Sequence, residues 1–461
     1  MEDLDVKGYW WLPKKPSRKL PGDLSFKPEY GAYLTLLGTF GEFTNRFEAP
    51  EIILGMTQEG KRITLFNLIP RNISWPIIGL GGSRYFAHFI FEGVHFKKKS
   101  DIKFHQVQAS YVDLDAWVDT FGFKIEHGYS NKRKLGTPSI SYSLPKSRLI
   151  ELPDKTKVGV TFWSKGPSWN LVQTEAKITP ETFLVAKSIQ GDISFFDLNQ
   201  TLSRLADLLQ LATQRLSSPR QIIGFTDKNV ESIGEHKRAY YPPVKVYFEP
   251  IEIQSDPEEK PQHDMLFTFK ELTNRQIVKW FAAYENHDTQ IYLYRSLIYN
   301  NRSFAETRFL NIVQALEALH SSLFKSHYLP PKTFELRKGK VINSAPPSLK
   351  NWLNNAIGNS NYKRLTQRAL ELLQKRKPLF VSVISDNQLF ARRVVATRNL
   401  FIHQQSNRLV FAHGEELHCA TLLLKFLFEA YLLQIMGFGS KKILRIYERR
   451  IRQYKSWGAM F

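Results

Sequence analysis

The chain has 461 residues, of which 43% are hydrophobic and 13% aromatic, with a formal net charge of +21 and a pI near 9.7. That length exceeds what one hydrophobic core serves and predicts two domains, and the apolar content excludes a disordered scaffold. The charge directs attention to polyanions, nucleic acid first, ahead of an anionic membrane or an acidic protein.

Cys419 is the sole cysteine, so the chain holds no internal disulfide and no thiolate zinc cage. The opening "MEDLDVKGYWW" lacks the basic start and apolar run of a signal peptide, and a reducing, cytoplasmic setting is expected. From Lys7 to about Lys187 the pattern is that of strands, rich in aromatic and β-branched residues. "EIILGMT" and "RITLFNLI" flank "QEGK" as a hairpin, and "SRYFAHFIFEGVHF", "SISYSL", "SRLIEL" and "KVGVTFW" add further strands, together a sandwich or curled sheet. A helix is expected from about Asn199 to Arg215, ended by "SSPR". A proline-rich mixed stretch follows, and the strand signals fade near residues 270 to 290.

Beyond that boundary helices are expected over about 274–284, 290–300, 303–325, 361–376, 386–405, 415–436 and 441–454, a helical bundle. The fold class is thus α+β: a mainly β domain over residues 1–275, then an all-α domain over 288–461. The most apolar run, Cys419 to Phe438, nearly reaches membrane-spanning length but contains Lys425, Glu429 and Gln434, and reads as a core helix in water.

Within the helix over 386–405, the stretch "VATRNLFIHQQ" places Arg398, Asn399 and His403 close together. At about 100° per residue, Asn399 and His403 lie roughly 40° apart, whereas Arg398 is about 140° from His403 and depends on its long stem to reach it. Leu400, Phe401 and Ile402 are expected to dock the helix. An arginine fork binds phosphate in bidentate fashion and an imidazole titrates near neutrality, which together are parts for cutting RNA with its own 2′-hydroxyl as nucleophile. A second match, "RLVFAH" from Arg408 to His413, runs straight into Gly414 and is read as a turn between helices.

"RNLFIH", preceded by "RFLNIVQALEALHSSL" and followed by "ELHCATLLLKFLFEAYLLQIMG", resembles the HEPN superfamily, and more closely the ApeA-like anti-phage HEPN proteins. The strand-dominated first half is similar to the N-terminal domain of that group. The resemblance implies a metal-independent endoribonuclease in anti-phage defence by abortive infection, with Arg398 and His403 as the catalytic pair and Asn399 as an orienting or phosphate-contacting residue. It implies a site formed where two HEPN domains meet, hence a homodimer or higher even oligomer, with RNA as substrate, and a β domain that senses a phage-derived trigger or restrains the nuclease. The alternative within the superfamily is an inactive HEPN module that binds RNA or a partner protein.

Glu317 and His320, three apart on a helix, could face the motif and support His403. The C-terminal "KKILRIYERRIRQYKSW" repeats Ile443, Tyr447, Ile451 and Tyr454 on one face, leaving Lys441, Lys442, Arg445, Arg449, Arg452 and Lys455 as a basic remainder able to track RNA phosphates. "FKKKSD" and "NKRKLG", around Lys97 to Lys99 and Lys132 to Lys134, read as basic loops. His413, His418 and Cys419 lack the spacing of a metal site, and no phosphate loop, nucleophile elbow or dinucleotide fingerprint appears. Neither a metal nor a cofactor, and no membrane partner, is expected.

Overall fold

The computed structural model describes residues 1–40, 49–74, 81–127, 138–172, 174–233, 238–249, 261–299, 303–404 and 409–453. The chain divides into two compact units, Met1–Asn274 and Arg275–Phe461.

The first unit is built on antiparallel strands. β1 (Leu4–Leu12), β2 (Lys15–Lys27), β3 (Gly31–Leu37), β4 (Ile52–Thr57), β5 (Arg62–Ser74) and β6 (Gly82–Glu92) pair in the order β6-β3-β2-β1-β4-β5, and β5 returns to β6. Six strands therefore close into a barrel, where the sequence suggested only a sandwich or curled sheet. The turn at "QEGK" holds as a hairpin: the Gly60 N–H donates to Thr57 O and the Thr57 N–H to Lys61 O, both at 3.0 Å. Alternating inward residues fill the interior, among them Trp10, Leu24, Phe26, Leu34, Ile53, Leu65, Tyr85 and Ile90. Gly55 is needed there, because a Cβ at that position would lie 2.3 Å from the Trp10 ring.

The sheet continues from β6 through β7 (Gln106–Tyr111), β8 (Arg148–Glu151), β9 (Thr156–Trp169), β10 (Ala176–Ser188), β11 (Pro219–Phe225) and β12 (Val244–Tyr247). Their spatial order outward from β6 is β12-β11-β7-β10-β9-β8. Helix α1 (Phe195–Thr213), capped by the Ser194 hydroxyl accepting from the Phe196 N–H, packs its Leu198, Leu202, Leu205 and Leu209 on this part. At its start Phe195 meets Phe91 and Phe104 edge-on, with centroids 5.2 and 5.6 Å away.

The second unit is helical. α2 (Asn274–Tyr299) is kinked at His287, whose φ and ψ of −141° and 29° are not helical. It is followed by α3 (Ala305–Leu323), α4 (Pro331–Ser344), α5 (Lys350–Ile357), α6 (Leu365–Lys375), α7 (Asn387–His403), α8 (Glu415–Ile435) and α9 (Ser440–Gln453). α8 is long and apolar enough to span a membrane, but most of it is buried among the other helices. α4 and α5, which the sequence reading did not anticipate, contain no buried residue and pack on one another.

On α8 the fully buried Glu429 carboxylate accepts from the hydroxyls of Tyr294 on α2 (2.7 Å) and Tyr447 on α9 (3.0 Å), with Lys425 Nζ at 3.3 Å. Burial, followed by the neighbouring Glu429 charge, keeps the Tyr447 phenol far above its ordinary range, so it stays a donor. Removing the acceptor takes away the carboxylate that both buried hydroxyls and the ammonium face. Glu429→Ala is expected to cost about 3–5 kcal/mol of unfolding free energy and Tyr447→Phe about 1–3 kcal/mol, measured by urea titration followed by circular dichroism. A loss under about 1 kcal/mol for Glu429→Ala would show that the cluster does not hold the bundle together.

Candidate functional site

α7 opens with an Asp386 side chain that accepts from the N–H groups of Gln388 (2.7 Å) and Leu389 (3.1 Å), a well-formed N-cap. Its first turns are docked by buried Phe390, Ala391, Val394, Ala396 and Thr397. The burial then stops. Arg398, Asn399, Leu400 and Phe401 are half-buried, and Ile402 and His403 are exposed. Docking of the last turn falls to Phe401, whose ring meets Phe309 of α3 at 6.1 Å, edge-on; Ile402, expected to share that task, is 47% exposed.

α7 ends at His403, with Gln404 in the left-handed region (φ 52°) and its N–H donating to Leu400 O. Beyond residues 405–408, the chain is latched back onto the same helix. The Phe411 N–H donates to Thr397 Oγ1 at 2.9 Å, and the Phe411 ring lies under the Arg393 guanidinium at 4.5 Å. Arg393 also donates to Glu416 Oε1 at 2.6 Å, and Glu416 Oε2 accepts from the Ala412 N–H at 2.6 Å. Sequence reading missed this latch, since Arg393, Thr397 and Glu416 carry no spacing that marks them.

Several cationic and imidazole side chains of this unit are consumed internally. Arg368 pairs with Glu317 at 3.4 Å, Arg376 donates to Gln434 and stacks on Tyr431, and His320 donates to or accepts from Glu371 at 2.8 Å while lying parallel to Phe324. Glu371 is held in turn by Lys363 Nζ at 2.7 Å. Glu317, expected as a support for His403, thus turns to Arg368 on α6, and His320 is fully buried.

Arg398 contrasts with these: its guanidinium donates to Asn399 Oδ1 at 3.2 Å and to no other described residue. His403 makes no hydrogen bond to a described residue. The rival motif is divided: Arg408 lies outside the described residues, and His413 pairs through Nδ1 with Glu306 at 3.0 Å.

On α9, Ile443, Tyr447 and Ile451 are buried, and Lys441, Arg445, Arg449 and Arg452 are exposed. Lys442 is half-buried and rests its ammonium 5.3 Å from the Phe438 ring centre. Tyr454 and Lys455 lie outside the described residues, as do Lys132 to Lys134, whereas Lys99 opens a short 3-10 turn to Asp101. Among the described residues, the group able to hold a metal ion is His105, Asp192 and Asp227, in the first unit. The buried Cys419 thiol, raised by burial and then by Glu415 and Glu416 to about 11, is a poor ligand beside them.

A family model described as ApeA N-terminal domain 1 matches residues 5–280, and one described as Apea-like HEPN matches residues 310–442. No curated protein and no solved structure matches the chain.

His287 and His320 are both held below the ordinary imidazole range, in each case chiefly by burial, with Glu371 pulling His320 the other way. As pH falls through about 6.5 the unfolded chain takes up protons that these folded sites refuse, so stability is lost on acidification, by up to about 1.4 kcal/mol per pH unit and histidine. Urea midpoints of the helical transition are expected to be level above about pH 7.5 and to fall between about pH 6.5 and 5, less steeply in His320→Gln. A midpoint that rises on acidification in that window would contradict the assignment.

Proposed function

The chain belongs to the ApeA N-terminal domain 1 family, and from that premise we propose that it is a metal-independent endoribonuclease of the HEPN type, acting in the cytoplasm in anti-phage defence. The Apea-like HEPN match ties the helical unit to nuclease-type, RNA-related function. The observation that carries the finer reading is the state of the motif: Arg398 and His403 sit where α7 emerges from the core, unclaimed by internal partners of the kind that occupy Arg368, Arg393 and His320. A guanidinium and an imidazole left at a helix end without a structural task are available to a substrate.

In the proposed reaction Arg398 takes the scissile phosphate through its fork, and Asn399, hydrogen-bonded to it, sets its plane. The ribose 2′-hydroxyl attacks phosphorus and forms the 2′-O–P bond while the P–O5′ bond breaks. One histidine removes the hydroxyl proton and a protonated histidine supplies the proton to the departing 5′-oxygen. One chain offers a single His403 for these two transfers, which supports a site shared by two copies of the domain. The exposed cations of α9 serve to hold the RNA backbone at a distance from the chemistry.

With RNA as substrate and EDTA in excess, the wild-type protein is expected to cleave and to leave a cyclic phosphate. Arg398→Ala and His403→Ala should each lose at least about 10²-fold in rate with the fold retained, and His413→Ala and Arg408→Ala should change it little. Inhibition by chelator with recovery on adding zinc or magnesium would sink the mechanism. Essential Arg408 and His413 with a dispensable Arg398 and His403 would move the site to the other motif.

Sharing of the site is tested by mixing. An excess of His403→Ala chains is expected to depress activity per wild-type chain after subunit exchange, with light scattering showing a dimer or larger even assembly. Activity that simply tracks the amount of wild-type chain, from a monomer, would mean that each chain carries a complete site.

A further inference from the structure

Outside the helical unit, three side chains from distant parts of the sequence converge in the β unit. His105 sits between a short strand at Lys103–Phe104 and β7, Asp192 precedes the two-residue strand Ile193–Ser194, and Asp227 follows β11. One ligand atom from each lies within 4.8 Å of the others. His105 Nδ1 is 3.2 Å from Asp192 Oδ1 and 3.5 Å from Asp227 Oδ1.

One nitrogen carries at most one hydrogen, so His105 Nδ1 can bond Asp192 Oδ1, at 3.2 Å the long end of the range, but not also Asp227 Oδ1 at 3.5 Å. The two nitrogen–oxygen separations are also close to the edges of a tetrahedron around a small cation. With metal–nitrogen and metal–oxygen bonds of about 2.0–2.2 Å, ligand atoms of a tetrahedral zinc site stand about 3.3–3.5 Å apart, whereas neighbouring ligands of an octahedral ion at similar bond lengths stand about 3 Å apart. Two carboxylates also match the charge of one dication, and Lys228, close in sequence to Asp227, is turned to Asp101 at 3.0 Å.

The surroundings hold the ligands as a metal site requires. Asp192 presents Oδ1 to His105 because Oδ2 is tied down by the Thr226 hydroxyl at 2.7 Å and the Asp227 N–H at 3.0 Å. The His105 backbone is clamped on both sides, its N–H donating to Phe225 O at 2.9 Å and its carbonyl accepting from the Ser188 N–H at 2.8 Å. Its ring is braced edge-on by Tyr241, centroids 4.9 Å apart.

We propose that His105, Asp192 and Asp227 bind one zinc ion, with a fourth, open position for water or for an anionic group of a ligand. The ion pins the segments around residues 105, 192 and 227 together, and so secures the start of α1 and the end of β11. Nothing in this depends on RNA cleavage, which is proposed to need no metal.

The test uses the full-length protein, stripped with chelator, exchanged into metal-free buffer and titrated with zinc sulfate by calorimetry. One equivalent is expected to bind that is absent, or at least about 10²-fold weaker, in Asp227→Asn and in His105→Ala, since ligand loss should exceed the 10–100-fold cost of disturbing a supporting residue. Asp227 is 61% exposed, so its variant keeps the fold if His105→Ala does not. Zinc should also raise the melting temperature of wild type by several degrees and leave that of Asp227→Asn unmoved. Failure of the wild type to take up zinc, or equal zinc stoichiometry and affinity in wild type and Asp227→Asn, would overturn the proposal.

Discussion

A carboxylate with no access to water fixes the helical unit. Glu429 sits in the middle of its most apolar helix, where an unpaired charge would cost several kcal/mol, and it is tolerated because Tyr294, Tyr447 and Lys425 converge on it. Those donors come from different helices, so α2, α8 and α9 can satisfy the carboxylate only in one mutual arrangement. The consequence runs outward. With Tyr447 committed inward, together with Ile443 and Ile451, the period of α9 leaves Arg445, Arg449 and Arg452 facing solvent. The basic surface of α9 is thus set by a polar contact deep in the core.

In the β unit the corresponding constraint is the double use of β6. Residues Gly82–Ala87 pair with β3, and beyond them Ile90–Glu92 pair with β12, while the other side of the strand pairs with β5. One strand therefore belongs to the barrel and to its extension. Glu92, at the point of transfer, is anchored by Lys61 Nζ at 2.6 Å and the Tyr247 hydroxyl at 2.8 Å.

What could be read in advance was local. The hairpin at "QEGK" is announced by its turn, α8 by a continuous apolar run broken only by Lys425, Glu429 and Gln434, and α9 by Ile443, Tyr447 and Ile451. Barrel closure was not legible, because pairing of β5 with β6 around a six-strand circuit leaves no mark in either strand alone. α4 and α5 were not anticipated, although Trp352, Leu353, Ala356 and Ile357 cluster on one side of α5; neither helix has a buried residue. For the site, Arg398 and His403 could be singled out by residue type and spacing, but the fates of Glu317 and His320 turned on Arg368 and Glu371, some fifty residues away. His105, Asp192 and Asp227 come from three separate connections, and no spacing joins them.

Closure of the barrel bears on how this chain behaves at high concentration. An open sheet of twelve strands would offer two rows of unpaired backbone groups to any passing chain, the template from which strands add and aggregates grow. Here the β5 end folds back on β6, and the other end of the strand order is β8, four residues long, which among the described residues pairs only with Lys157–Val160 of β9. Even that strand begins with Arg148, whose guanidinium donates to Leu272 O at 2.6 Å and Phe269 O at 3.1 Å. Open backbone edge thus remains at β8 and along the stretches of β9 and β10 that run past their partners.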